Sequence, residues 1–280
     1  MITSISNSKI KEIKKLQEKK KERQKSGLFT AEGIRIVSEI PSSLFRELYI
    51  SESFYNDREK CTRLYEQLGV TVQDLTSGAA ALNLASGENI LFDLVSDKVM
   101  EYVCDTVTPQ GLLAVIKMPE YDFSDILGDN PSIIVLENLQ DPGNLGTIMR
   151  TAEGAGMTGV ILCGSVDIFS PKAVRATMGS IFRLPFIQEN DMEHVLAFLK
   201  DHKIRTYAAA LGGRKRYTEE DFTGRTAFFI GNEGNGLSRA VLDRVDEKMI
   251  IPMSGKLESL NAAMASGIIA YEIRRQREAL

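Results

Sequence analysis

Apolar residues in the second half of this chain come in short unbroken runs: Ser132–Leu136, Gly159–Leu162, Leu184–Ile187, Arg205–Ala209, Thr226–Ile230 and Lys248–Ile251. Amphipathic stretches separate most of them, at Leu145–Ala155, Pro171–Met178, Met192–Lys200, Ser238–Val245 and Ser259–Gln276. Strands that are apolar on both faces, joined by helical crossovers, predict a mostly parallel sheet with helices on both faces. The first half follows a different rhythm. Ile10, Ile13 and Leu16 recur every third residue among lysines and predict an amphipathic helix that starts near Ser8 and stops at Gly27. Ile34–Ile40 and Arg58–Leu68 read as helices, Leu44–Ile50 and Leu112–Lys117 as strands. Pro119–Pro131 is acidic and bracketed by prolines, the composition of a linker. The expectation is an α/β protein with a small α/β domain at 1–118, a linker at 119–130 and a larger α/β domain at 131–280.

Composition narrows the class. With 280 residues, 43% of them hydrophobic and 26% charged, the chain suits one large or two small soluble globular domains. No apolar run approaches the ~20 residues of a membrane span, and the lysine-rich start lacks the apolar stretch of a secretory signal. The three cysteines are widely spaced and only two histidines, His194 and His202, accompany them, so no metal is expected. A reducing, cytoplasmic setting fits that cysteine usage. Charge is unevenly placed. Residues 1–25 hold nine Lys or Arg against three Glu, a net of +6 within a chain of net -4, which leaves -10 for the rest. Such an arm, which includes Lys14, Lys15 and Lys20, is either a phosphate-backbone contact or a solvated helix face.

Two glycine clusters bear on ligand chemistry. Gly154–Gly159 matches the GxGxxG dinucleotide pattern, but a predicted helix precedes it and a strand follows. Pyrophosphate binding needs the reverse order, so these glycines are expected to cap and turn the chain. Gly231–Gly236 does stand between a strand and a helix, and Ile251-Pro252-Met253 through Glu258–Asn261 repeats that arrangement after a flexible Met253–Gly255. Two such loops at the carboxyl edge of one parallel sheet form a crevice for a small ligand.

Together with Asp141–Gly146 and Arg150, these loops resemble the three motifs of the SpoU (TrmH) branch of the SPOUT RNA methyltransferases. That family moves a methyl group from S-adenosylmethionine (AdoMet) to a ribose 2'-hydroxyl of RNA. The resemblance covers residues 131–280 and includes Ser170–Ser180 and Phe182–Pro185. Residues 1–117 are similar, through Leu28–Gly33 and Thr108–Val115, to an RNA-recruiting domain often fused to these enzymes. The resemblance implies a C-terminal trefoil knot and a homodimer whose RNA pocket the partner completes. It also implies AdoMet held by backbone groups of Gly231, Ile251 and Leu260, with Ile230 and Met253 beside it. Arg150 falls at the family's catalytic arginine. Its very high intrinsic pKa favours a phosphate clamp and stabiliser of alkoxide charge over a general base; the bland alternative is a surface arginine paired with Glu153. Asn144 is expected to cap its helix and to contact Arg150 or the ribose. Glu233 is read as an acceptor for Arg150 or Asn261, or as a solvated carboxylate. Ser259 and Asn261 are read as active-centre or helix-start residues. Arg183, Lys172 and Arg175 are phosphate ligands or salt-bridge partners, and His194 and His202 are surface residues. The function implied is AdoMet-dependent ribose methylation of RNA, with ribosomal RNA favoured by the extra N-terminal domain. A tRNA enzyme and a non-catalytic RNA-binding assembly factor are the alternatives.

Overall fold

The computed structural model describes the chain except residues 71–80, 84–88, 211, 255, 257 and 280 and the side chains of residues 81 and 83. Gly255 of the expected flexible loop therefore lies outside the described residues. The chain forms two compact units, one of Met1–Pro119 with Phe169–Phe182, the other of Glu120–Ile168 with Arg183–Leu280.

The first unit runs α1 (Ser8–Glu18), α2 (Lys20–Ser26), β1 (Leu28–Glu32), α3 (Ile34–Val37), β2 (Phe45–Ser51), α4 (Glu52–Asn56), α5 (Arg58–Leu68), β3 (Ala81–Asn83), β4 (Asn89–Val95), α6 (Asp97–Val103) and β5 (Leu112–Lys117). Its five strands order as β1-β5-β2-β4-β3. The two segments that carry the N-terminal resemblance meet here, because β1 lies antiparallel to β5 with Leu28 opposite Lys117 and Glu32 opposite Leu113. Ile10, Ile13 and Leu16 are buried against Tyr49, Val95 and Val99, so the basic arm is also part of this unit's core.

One expectation is corrected in the arm. The single helix from Ser8 to Gly27 is two, broken at Lys19, which has extended backbone. Arg23 explains the break: its guanidinium donates to the carbonyls of Leu16 at 2.5 Å and Gln17 at 3.0 Å, supplying partners that the end of α1 lacks. Arg23 is buried and belongs to the fold rather than to a solvent-facing basic surface.

The second unit carries β6 (Ser132–Glu137), α7 (Pro142–Ala155), β7 (Gly159–Cys163), β8 (Phe186–Glu189), α9 (Met192–Asp201), β9 (Arg205–Ala209), β10 (Lys215–Arg216), β11 (Thr226–Ile230), α10 (Arg239–Leu242), β12 (Glu247–Ile250) and α11 (Ala262–Glu278); α8 (Pro171–Thr177) falls in the first unit. Seven strands order as β10-β12-β9-β11-β6-β7-β8, and every pairing is parallel. Ile133, Val135, Ala227 and Phe229 face a core closed by Val195, Leu196 and Leu199 of α9. The alternate positions Ile134, Leu136, Phe228 and Ile230 are buried too and point the other way, as a pleated strand requires. There α7 and α11 pack against each other and on β7 and β11. The acidic stretch after Pro119 is no free tether. Ile126 is fully buried in this core, with Tyr121, Phe123 and Leu127 packed beside it.

Gly154–Gly159 behaves as its order predicts. α7 ends before Gly156, which caps it in the left-handed region at φ 75°, and β7 follows. A side chain at Gly159 would overlap Ile126, so the glycine serves packing rather than a nucleotide. At the far end of the unit, Arg277 donates to the carbonyls of Phe222, Asn130, Pro131 and Gly224 and pins the end of α11.

Candidate active site

In a parallel sheet every carboxyl end opens on the same edge. The loops after β6, β11 and β12 therefore leave together, with the loop after β9 between the last two, since β9 pairs with both β11 and β12. Each loop is shaped by its own short-range bonds. After β6, Asp141 accepts from the amide of Asn144 at 2.7 Å and caps α7, with Pro142 in the first turn. This corrects the expectation that Asn144 is the cap; Asn144 sits one turn in, and its side chain is left for other partners.

After β11, Asn232 ties the glycine-rich loop into a closed turn. Its backbone exchanges hydrogen bonds with Gly236 at 3.0 and 2.9 Å, and its side-chain oxygen accepts from Gly234 and Asn235 at 3.0 Å. Its side-chain amide donates to Asn138 at 2.9 Å, so this loop is fastened to the one after β6. Gly231 is needed for a reason the sequence concealed. A Cβ there would overlap the backbone of Gly236 and Leu237, so the loop itself crowds this position before any ligand does. Gly231→Val is thus expected to lower the stability of this unit by about 1–3 kcal/mol as well as to abolish AdoMet binding. A thermal melt of the valine variant at the parent temperature would show that the loop has room after all.

After β12, Asn261 caps α11 by accepting from Ala263 at 2.9 Å and Met264 at 3.3 Å, so the helix starts at Ala262 rather than Ser259. Three motif residues then meet. Glu233 accepts from the amides of Gln140 at 3.1 Å and Asp141 at 3.0 Å and from the side-chain amide of Asn144 at 3.0 Å. Asn144 in turn accepts from the Asn261 side chain at 2.9 Å. Partial desolvation opposes ionisation of Glu233, but the bonds from Asn144, Asp141 and Gln140 outweigh it and hold its carboxyl below the usual range. An ionised carboxylate only accepts, which fixes both amides in turn: Asn144 presents its nitrogen to Glu233 and its oxygen to Asn261.

Arg150 does not join this chain. It is exposed on α7, and among the described residues its guanidinium has no hydrogen bond or ion pair. The alternative pairing with Glu153 is not formed; Arg183 holds Glu153 through Nε at 2.5 Å and Nη2 at 3.1 Å. Arg175 is likewise committed, at 2.6 Å to Asp105 and 3.9 Å to Glu32 within the first unit. Lys172 is exposed on α8. In the arm, Lys15 and Lys20 are exposed, whereas Lys14 is half-buried, 3.8 Å from Glu18 and over the ring of Tyr102. His194 and His202 lie on the surface, the first 2.7 Å from Glu189.

The loops after β9, β11 and β12 border a cleft of 580 Å³ lined by Ile230, Gly231, Glu233, Ile251, Met253, Ser259 and Leu260, a size suited to a small organic ligand. Its walls fit AdoMet. Ile230, Leu237, Leu242, Ile251 and Leu260 offer apolar surface for an adenine ring, and the Glu233 carboxylate complements a sulfonium charge. Ala209, Ala210 and Gly212 also line it and were missed. Their strand looked ordinary in sequence, and only the strand order places its end at the crevice. Among the described residues no cluster of His, Cys, Asp or Glu could hold a metal.

Comparison with known proteins agrees with this geometry. The SpoU rRNA Methylase family matches residues 131–271, and the MRM3-like substrate binding domain matches residues 7–114. The chain is 32% identical, over 98% of its own length and 98% of the relative's, to the 23S rRNA (guanosine(2553)-2'-O)-methyltransferase RlmP of Bacillus subtilis. It is 33% identical to a 23S rRNA (uridine(2479)-2'-O)-methyltransferase of Streptomyces viridochromogenes, over 66% of this chain and 67% of that one. Among solved structures it resembles the AdoMet-bound rRNA methyltransferase of Sinorhizobium meliloti, with a TM-score of 0.81 and 28% identity, covering 98% of this chain and 97% of that one. The hydrogen-bonded junction of the three motif loops beside the cleft and the span of these matches lead to one conclusion: the chain belongs to the SpoU rRNA methylase family.

Proposed function

We propose that this chain methylates a ribose 2'-hydroxyl of ribosomal RNA with AdoMet as donor. The observation that carries the proposal is the cleft lined by two of the motif loops, to which the third is tied through the Glu233–Asn144–Asn261 chain. The rRNA specificity of the relatives supports the substrate class. The bound cofactor supplies an electrophilic methyl group. The chain's residues must then hold the acceptor ribose in line and stabilise the charge that develops as its hydroxyl loses a proton. Arg150, exposed and unpaired among the described residues, has a planar donor fork available for the neighbouring phosphate and the developing alkoxide. Asn144 and Asn261 hold the loops around the acceptor, and Gly231, Ile251 and Leu260 carry the backbone groups that hold the adenosyl moiety. Residues 1–118 recruit RNA and residues 131–280 perform transfer.

We place the protein in the cytoplasm as a homodimer. Free, buried Cys61, Cys104 and Cys163 support a reducing compartment, and no described helix is long and apolar enough to cross a membrane. The trefoil knot is proposed as well; the return of α11 to α7 and β11, after β12 has paired beyond β9, supports it. Mapping 2'-O-methylation across total RNA with and without the gene tests the function. Loss of one rRNA position is the expected result, whereas loss in tRNA, or no loss, would overturn the substrate class or the activity.

The arm gives a second test. Because Ile10, Ile13 and Leu16 are core residues, deletion would damage the fold. Replacing exposed Lys11, Lys15, Lys20, Lys21 and Lys25 with glutamine should weaken RNA binding and lower its salt slope by ~0.7–0.9 for each phosphate no longer neutralised. AdoMet affinity should stay at the parent value by calorimetry. A parent slope in a folded variant would make the arm a solvated face.

A further inference from the structure

We propose that Arg214 and Arg216, on the loop and edge strand that leave the cofactor cleft, grip the phosphate backbone of the RNA strand being methylated. The inference rests on the RNA-methyltransferase reading and assigns it a contact on the catalytic unit itself. Gly212, which lines the cleft, is followed within two residues by three consecutive exposed cations, Arg214, Lys215 and Arg216. The segment is held flush with the sheet. A Cβ at Gly213 would come within 2.8 Å of the Met249 Cα, so glycine permits the close approach, and β10 then pairs in parallel with β12. Arg216 stands beside Ile250, another cleft-lining residue. Neighbours in register point to the same face of a sheet, as do residues two apart on one strand. Arg216 thus shares a face with Ile250 and with exposed Lys248, at the carboxyl edge where the cleft opens.

Charge separates these side chains by task. Lys215 is 3.6 Å from Glu220, whose side chain is 1% exposed, so the middle cation serves the fold. Among the described residues neither guanidinium, of Arg214 or of Arg216, has an ion pair, unlike Arg175 and Arg183; the nearby Glu219 carboxylate is taken by the Arg216 backbone amide at 2.7 Å in the capping turn that follows β10. Solvent-facing guanidinium groups without carboxylate partners, on a body of net -10 outside the arm, are suited to phosphate: it presents the planar fork with matching oxygens. Two contacts of this kind carry no base preference and set strand position only. The donor's own carboxylate is the other anion within the same chemistry.

The test uses the full-length Arg214→Gln/Arg216→Gln chain, which retains the Lys215–Glu220 pair, with in vitro transcribed 23S rRNA as probe. RNA affinity near 0.15 M salt should fall about 10-fold or more, and the salt slope by about 1.4–1.8, the share of two neutralised phosphates. AdoMet affinity by calorimetry should match the parent, and Arg214→Lys/Arg216→Lys should keep most of the slope. Parent RNA affinity and slope in a variant with the parent melting temperature overturn the proposal. Lost AdoMet affinity with an unchanged RNA slope also overturns it and assigns the arginines to the donor. Should the double variant not fold, Arg214→Gln alone carries the same reading with half the change in slope, because Arg214 lies outside β10. Methyl transfer by the parent chain is measured separately; its absence, with the RNA slope intact, defeats the enzymatic reading and leaves the RNA contact standing.

Discussion

Arg150→Ala is expected to lower methyl transfer by ~100-fold or more, the scale of removing a preorganised electrostatic stabiliser, while AdoMet affinity and melting temperature stay at parent values. The structure makes this a clean experiment. Arg150 is exposed on α7 and, among the described residues, has no partner to orphan. Its removal therefore costs the folded state little, and the effect falls on turnover. Arg150→Lys should recover little, because an ammonium cannot reproduce two parallel bonds from one planar fork. Arg183→Ala provides the contrast. It breaks the exposed pair with Glu153, an interaction worth at most about 1 kcal/mol, and should leave turnover near normal. Single-turnover transfer from labelled AdoMet reads both variants. Near-normal turnover in Arg150→Ala would remove Arg150 from the reacting centre.

Glu233→Gln carries the second large effect, through position rather than proton transfer. The carboxylate accepts three bonds, from the amides of Gln140 and Asp141 and the side chain of Asn144. A glutamine keeps the shape but offers one acceptor oxygen, so its amide nitrogen must face at least one of those donors. Because Asp141 and Asn144 share one carboxylate oxygen and Gln140 takes the other, that nitrogen either opposes Gln140 and loosens the turn after β6, or opposes Asp141 and Asn144 and frees the side chain that holds Asn261. A drop in kcat/KM of about 100-fold is expected, the scale of misplacing reacting groups by about 1 Å. Stability should fall by no more than about 1 kcal/mol, because the side chain is exposed and water replaces part of its bonding.

The pH profile separates this role from that of a general base. The folded-state pKa of Glu233 is depressed. Its contribution is thus complete above the unfolded value of about 4.3 and is lost as pH falls through the lower folded value. Across pH 6–9 the parent should show no limb from this group, and Glu233→Gln should lower the profile evenly. A limb near neutrality that vanishes in the glutamine variant would instead make Glu233 a base.

Much of this protein was determined by its sequence alone, wherever the controlling interactions are local. The strands Thr226–Ile230 and Leu112–Lys117 and the helix Arg58–Leu68 lie at their expected bounds, because an apolar run or a 3.6-residue period needs no distant partner to declare itself. The cleft-lining Gly231, Ile251, Met253, Ser259 and Leu260 were legible for the same reason, as strand ends run into glycine-bearing or cap-bearing loops. Strand β4 is not marked by the sequence pattern, because Asn89 and Asp93 interrupt its apolar residues and most of its positions are only partly buried or exposed.

Tertiary structure decided whatever depends on which strand lies beside which. Only the order β12-β9-β11-β6 brings Ala209, Ala210 and Gly212 to the cleft and joins Glu233 to Asn144 and Asn261, residues 89 and 117 positions from Asn144 along the chain. The same holds for the choice of ion pairs. Glu153 lies one turn from Arg150 yet takes Arg183, 30 residues away, and Arg23 turns back into the fold to end α1. A cap or turn is selected by bonds within a few residues, so the local chain can specify it. The partner of a long charged side chain is selected by the packing of sheet faces and helices, which no window of a few residues contains.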